Sequence, residues 1–183
     1  MKLLAIVMMV MMSSVAFALQ PPVDLADTEA QDAENAGMLP DAPLYGLDLA
    51  LEKVSLALAG NSYNRALIAL EQAKEHLAEA KIMAKQDKID ARDKALKAHD
   101  DRLADINSHK NGLSEEHRAT VEENMNKHVN VLLNVQDKLE AKNVPASTKG
   151  ITNAIENSQK ALTDVRDAKV QKGLQGIEQN IKK

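Results

Sequence analysis

Five histidines, His76, His99, His109, His117 and His128, are the side chains of this 183-residue chain best suited to hold a metal ion or carry a proton near neutral pH. None belongs to a His-Glu-x-x-His run or another tight ligand motif, so a dedicated zinc enzyme is not expected. His128 follows Met125 by three residues and His117 by eleven, which puts the set close to one helix face, and a Met-His-His arrangement suits copper. The simpler alternative for His128 is a half-buried histidine hydrogen-bonded to a neighbouring helix or snorkelling to the edge of the bundle. His109 and His117 flank Asn111-Gly112, so a helical hairpin could bring them together beside Glu115 and Glu116 as a mixed nitrogen and oxygen site. Plain solvation at helix ends competes with that reading.

Catalytic constellations are harder to find. Asp100-Asp101, Glu115-Glu116 and Glu122-Glu123 are adjacent carboxylates whose side chains diverge by about 100° on a helix, so the two members of a pair do not readily share a proton. No Gly-x-Ser-x-Gly elbow exists, the glycines form no phosphate-binding loop, and the chain has no cysteine to serve as nucleophile, metal ligand or disulfide partner. No catalytic residue, no cofactor and no enzyme activity are expected.

The elements that must position these residues are helices. After Phe17 the only aromatics are Tyr45 and Tyr63, so the core must be built from Leu, Ile, Val and Ala, and no alternating β-branched stretch reads as a strand. Leu44, Leu47, Leu51, Val54 and Leu58 recur at steps of three and four along one stripe of a first helix opened by Asp41 or Ala42 and Pro43. Gly60-Asn61-Ser62 stops that helix and caps the next, which carries Tyr63, Ala66, Leu70, Ala73, Leu77, Ala80 and Ala84. Near Gln86-Asp87-Lys88 the stripe weakens, but no Gly or Pro forces a break. Either a kink or a turn sits there, and a long helix or two nearly collinear ones reaching His109 is therefore the favoured expectation. Asn111-Gly112 does force a break, and Ser114 caps a helix with the stripe Val121, Met125, His128, Leu132, Val135 and Leu139. Asn143-Val144-Pro145 ends it. Ser147 then caps a further helix whose inner face is Ile151, Ile155, Ser158, Leu162 and Val165. The expected fold is all-α: four to five antiparallel helices in a bundle or extended helical hairpins, with coiled-coil-like packing.

Residues 1–18 read as a secretory signal peptide. Lys2 precedes the apolar run Leu3 to Met12, and Ala16-Phe17-Ala18 is a small-x-small cleavage pattern. Residues 19–42 carry six carboxylates and no Lys or Arg, as a disordered acidic leader does. Residues 43–168 form the helical domain, and 169–183, with Gly173, Gly176 and terminal lysines, form a frayed C-terminal helix. The net charge is −4, with both signs interleaved, so nucleic acid is not an expected partner. Once the signal is removed, no transmembrane segment is expected.

Leu39-Pro40-Asp41-Ala42-Pro43-Leu44-Tyr45, followed by Ala50-Leu51-Glu52-Lys53-Val54, resembles the start of an uncharacterised family of exported bacterial and archaeal proteins. In that family a Leu-Pro-x-x-Pro-Leu-Tyr motif opens the domain soon after the signal peptide. Leu77-Ala78-Glu79-Ala80 is similar to a family helix of the Arg-Leu-x-Glu-Ala kind, with His76 standing where the arginine belongs. His128 to Leu133 and the stretch from Val144-Pro145 to Ser158 resemble later family segments. The resemblance implies an extracytoplasmic helical domain of unknown function, and no reaction or site residues.

These features favour a secreted, non-enzymatic helical module, structural or binding a protein or a cell-envelope component. The alternative is an extracytoplasmic copper- or zinc-binding or stress-sensing protein using His117, Met125 and His128. A homodimer completing its core in trans satisfies the same stripes as a monomer.

Overall fold

In a computed structural model of the chain, residues 35–141 and 145–181 are described, with side chains omitted at 138, 139, 141, 145–148 and 169–181. The expected signal peptide, most of the expected acidic leader and Asn143-Val144 lie outside these residues. The described residues form five α-helices and no strand: α1 (Tyr45–Ala57), α2 (Ser62–Lys85), α3 (Ile89–His109), α4 (Glu115–Ala141) and α5 (Pro145–Ile181), with a 3-10 turn at Lys110–Gly112.

Local chemistry explains most of the boundaries. Gly60 takes φ +76°, a left-handed value at which a side chain would be strained, and ends the α1 segment. The Asn61 side chain then accepts a bond from the backbone N–H of Asn64 at 2.8 Å and caps α2. Ser114 does the same for α4 through the N–H of His117, at 3.2 Å. Pro43 lies in the turn ahead of α1 rather than inside it, and α5 begins at Pro145, two residues before the expected Ser147 cap. Pro suits a first helical position because that N–H has no partner in the helix.

The segment around Asp87 takes the turn rather than the favoured collinear path. Helix α2 ends at Lys85, Asp87 adopts φ 55°, and α3 starts at Ile89, so the chain reverses instead of continuing. Arg65, near the start of α2, bonds bidentately to Asp105, near the end of α3, at 2.9 and 2.7 Å, which marks the two helices as an antiparallel hairpin. Asp tolerates the left-handed region better than most residues, so a turn needs neither Gly nor Pro.

Two apolar clusters make the core. One gathers Leu56 of α1, Leu70 of α2, Leu103 and Ile106 of α3, Met125 of α4 and Leu162 and Val165 of α5. The other gathers Leu77 and Ala80, Ala95 and Leu96, Leu132 and Val135, and Ile151 and Ile155 from α2 to α5. Along α3, α4 and α5 the two are separated by His99, His128 and Ser158, all buried. The many alanines on α2 and α3 let these helices approach closely.

Helix α1 is mounted with the opposite face inward from the one its sequence advertises. Tyr45, Glu52 and Leu56 are its buried residues, whereas Leu44, Leu47, Leu51, Val54 and Leu58 are 57, 56, 39, 46 and 64% exposed. Ahead of it, the end of the acidic leader lies against the domain: Pro40 is buried, and Asp41 accepts a bond from Lys88 at 2.6 Å.

Candidate functional site

The inward face of α1 meets α2 through charged groups. Tyr45 and Glu52, seven residues apart, point the same way. On α2, His76 and Glu79 at i and i+3 share a face. The His76 ring donates from Nε2 to Glu52 Oε2 and from Nδ1 to Glu79 Oε2, both at 3.0 Å, and has no solvent exposure. Glu79 Oε2 also accepts from the Tyr45 hydroxyl at 3.1 Å. Gln72 extends the network, donating to Ser55 Oγ at 2.9 Å and to the Glu52 carbonyl at 3.4 Å, while its own Oε1 accepts from Arg102 of α3.

Electrostatics set the protonation states here. Burial on its own would push the His76 imidazolium down, but the hydrogen bonds and charges of Glu52 and Glu79 outweigh it and lift His76 to about 9. His76 is a cation at neutral pH, which is why a ring with two donors fits between two carboxylates. Burial and the neighbouring Glu79 raise the Tyr45 hydroxyl, so it stays a donor. Burial, then the charges of Glu52 and Glu71, push Glu75 up to about 7, and burial followed by Glu52 raises Asp48.

The second polar site lies between the two core clusters. His99 Nε2 and His128 Nε2 are 2.9 Å apart with ring centroids 5.1 Å apart, and His99 Nδ1 faces Asp100 Oδ1 at 2.9 Å. Partner types assign the protons: His99 donates from Nδ1 to the carboxylate, so its bare Nε2 accepts from His128 Nε2–H. His128 Nδ1 is then an unprotonated acceptor, and it is buried with no partner. Burial, reinforced by His99 and Lys74, holds His128 well below the usual histidine range. The hydrogen bond to a neighbouring helix matches the simpler reading of His128, though the residue is fully buried rather than half-buried.

Each of the sequence-derived metal candidates has contacts of its own. His117 stacks on Tyr63, centroids 3.9 Å apart; Met125 is buried in the Leu70 cluster; His128 pairs with His99. His109 bonds locally, its Nδ1–H donating towards the Asp105 carbonyl at 2.9 Å beside Ser108 Oγ. Among the described residues, no group of three or more His, Asp or Glu side chains is placed to hold a metal ion. Sequence reasoning passed over His76 with Glu52 and Glu79. The available signal was a His and a Glu at i, i+3, each one position before the apolar stripe residues Leu77 and Ala80.

None of the helices among the described residues is long and apolar enough to cross a membrane. Comparison with curated proteins and with solved structures finds no match. A family model for a domain of unknown function, DUF5667, matches residues 37–142, from the loop ahead of α1 to the end of α4 and so more than half of the chain, and the protein belongs to that family.

Proposed function

We propose that this protein is an exported, non-enzymatic helical module that docks an apolar helix of a partner protein along the outer face of α1. The observation that carries the reading is the exposed stripe Leu44, Leu47, Leu51, Val54 and Leu58. Its three-four spacing is that of a coiled-coil seam, and Lys53 is the only charged residue among the exposed positions from 43 to 60. An almost uncharged ridge suits an apolar helix better than an anionic membrane or polymer. Export rests on the signal-like residues 1–18, and the non-enzymatic role on the lack of a catalytic motif in the sequence.

Site-specific photo-crosslinking in the native cell tests the docking reading. A probe at Leu47 or Leu51 should give one adduct of defined mass, and one at the exposed Lys97 none; Val54→Glu should abolish the adduct without altering the circular dichroism. Equal crosslinking from Lys97, or none from the stripe, overturns it. Light scattering separates the other occupants: a stripe-dependent dimer points to a second copy, and recovery on lipid vesicles to a membrane surface. Fractionation and N-terminal sequencing of the native protein should place it outside the cytoplasm beginning at Leu19. A cytoplasmic chain retaining Met1 removes the export half of the proposal.

A further inference from the structure

A cleft of about 360 Å³ opens between α1, α2 and α3, with Lys53 and Leu56 contributed by α1, Arg65 by α2, and Asp101, Arg102 and Asp105 by α3. Both carboxylates are already used. Asp105 is held bidentately by Arg65, and the exposed Asp101 accepts from Lys97 Nζ at 2.8 Å. Lys53 and Arg102 remain, and neither pairs with a carboxylate among the described residues. Three cations thus line the cleft against two carboxylates, which leaves one positive charge in surplus.

Arg102 supplies an independent indication. It is 4% exposed, yet its guanidinium makes a single hydrogen bond among the described residues, from Nη1 to Gln72 Oε1 at 3.4 Å, which is longer than an ordinary one. Its Nε is buried with no partner. A guanidinium carries five N–H donors and cannot shed its charge to escape burial, so the cost of the unpaired cation stays in the fold until an acceptor reaches it. Gln72 fixes where that happens. Its Nε2 donates to Ser55 Oγ at 2.9 Å, so one side chain holds Arg102 beside the turn of α1 that carries Lys53.

We propose that this cleft binds a small organic monocarboxylate, with the carboxylate on Arg102 and Lys53 and an apolar body against Leu56 and Ala104. The planar guanidinium fork matches a carboxylate, and the exposed Lys53 adds a movable point charge from the open side. A single negative charge balances the surplus. A more highly charged anion such as phosphate meets Asp101 and Asp105, which disfavour it. The cleft has the size of a small-molecule site, about 300–1,000 Å³, and is too large for a carboxylate alone, so the ligand brings a body with it. A free acid and the C-terminal end of a peptide present the same group. The inference stands apart from helix docking on the outer face of α1.

N-acetyl-leucine, a carboxylate on a small apolar body, is the probe, with its uncharged amide and inorganic phosphate as controls. Titrated into the nitrogen-15-labelled protein, the acid should shift the Arg102 Nε–H resonance, identified by its absence from Arg102→Lys, and saturate at one molecule per chain. The amide should leave that resonance in place, and phosphate should bind at least tenfold more weakly. By calorimetry, Arg102→Gln should lose measurable binding and Lys53→Gln should bind at least threefold more weakly, with circular dichroism checking both folds. Lys53 is exposed and unpaired, so its variant keeps the test decisive if Arg102→Gln does not fold. A tripeptide, acetyl-Ala-Ala-Leu with a free carboxylate, separates the sources: tighter binding than N-acetyl-leucine assigns the cleft to a peptide end, and weaker binding to a free acid. The proposal falls if neither acid moves the Arg102 resonance, if the amide moves it equally, or if affinity is unchanged in either folded variant.

Discussion

His76 and His128 are both buried to within a few per cent of completeness in one small helical domain, yet they carry opposite charge states. His76 sits between two carboxylates and is held as a cation. His128 sits against another imidazole, with apolar clusters on either side, and is held neutral. Burial disfavours the charged form at both sites, so the difference is made wholly by what the ring nitrogens face. A buried histidine therefore has no protonation state of its own until its partners are known.

The two sites should respond differently to loss of the ring. His76→Ala leaves Glu52 and Glu79 buried without their cation and should cost roughly 3–5 kcal/mol in chemical denaturation. His76→Arg keeps the charge and offers two donors, and should recover most of that loss. Equal damage from both variants would show that ring shape, rather than charge, matters at this site.

Dependence on pH sharpens the contrast. Because folding raises His76 from 6.5 to about 9, its contribution is fully present below pH 6.5 and is lost as pH rises through 9, on the order of 3 kcal/mol in all. Glu75, raised from 4.5 to about 7, adds a loss of the same sign between those two values. His128 has the reverse sign, since its lowered value leaves stability full above pH 6.5 and erodes it as pH falls below. Thermal melts across pH 5 to 10 should show the alkaline limb disappear in His76→Arg. Persistence of that limb would assign it to another group.

Smaller effects probe the edges of each site. Tyr45→Phe removes one donor to Glu79 and should cost roughly 1.5 kcal/mol by denaturant titration. His128→Leu exchanges a neutral hydrogen bond for apolar packing and should shift stability at pH 7 by about 1 kcal/mol or less, while flattening the acid limb. A much larger loss would mean that the His99–His128 pair organises the helices around it.

The bundle was readable because its helices follow simple rules. Val121, Met125, Leu132 and Val135 on α4, and Ile151, Ile155, Leu162 and Val165 on α5, all turn inward as their spacing requires, and Asn61 and Ser114 cap where their side chains can reach an N–H. The reversal at Asp87 was one of two readings and not the favoured one, because a left-handed Asp leaves no composition signal as strong as Gly or Pro. Nor was the orientation of α1. Its apolar stripe predicts burial, but Tyr45 and Glu52 find buried charged partners on α2 that hold the other face down.

By itself, the amino-acid sequence determined the helical class, the caps at Asn61 and Ser114 and the inner faces of α4 and α5, since these depend on contacts a few residues apart and on a periodicity visible in one dimension. Only tertiary structure decided that α2 and α3 form a hairpin, that His76 is charged while His128 is not, and that α1 shows its leucines to solvent. Each of those outcomes depends on residues from different helices meeting at about 3 Å, and the free energy of a buried charge is set by those neighbours rather than by its place in the chain.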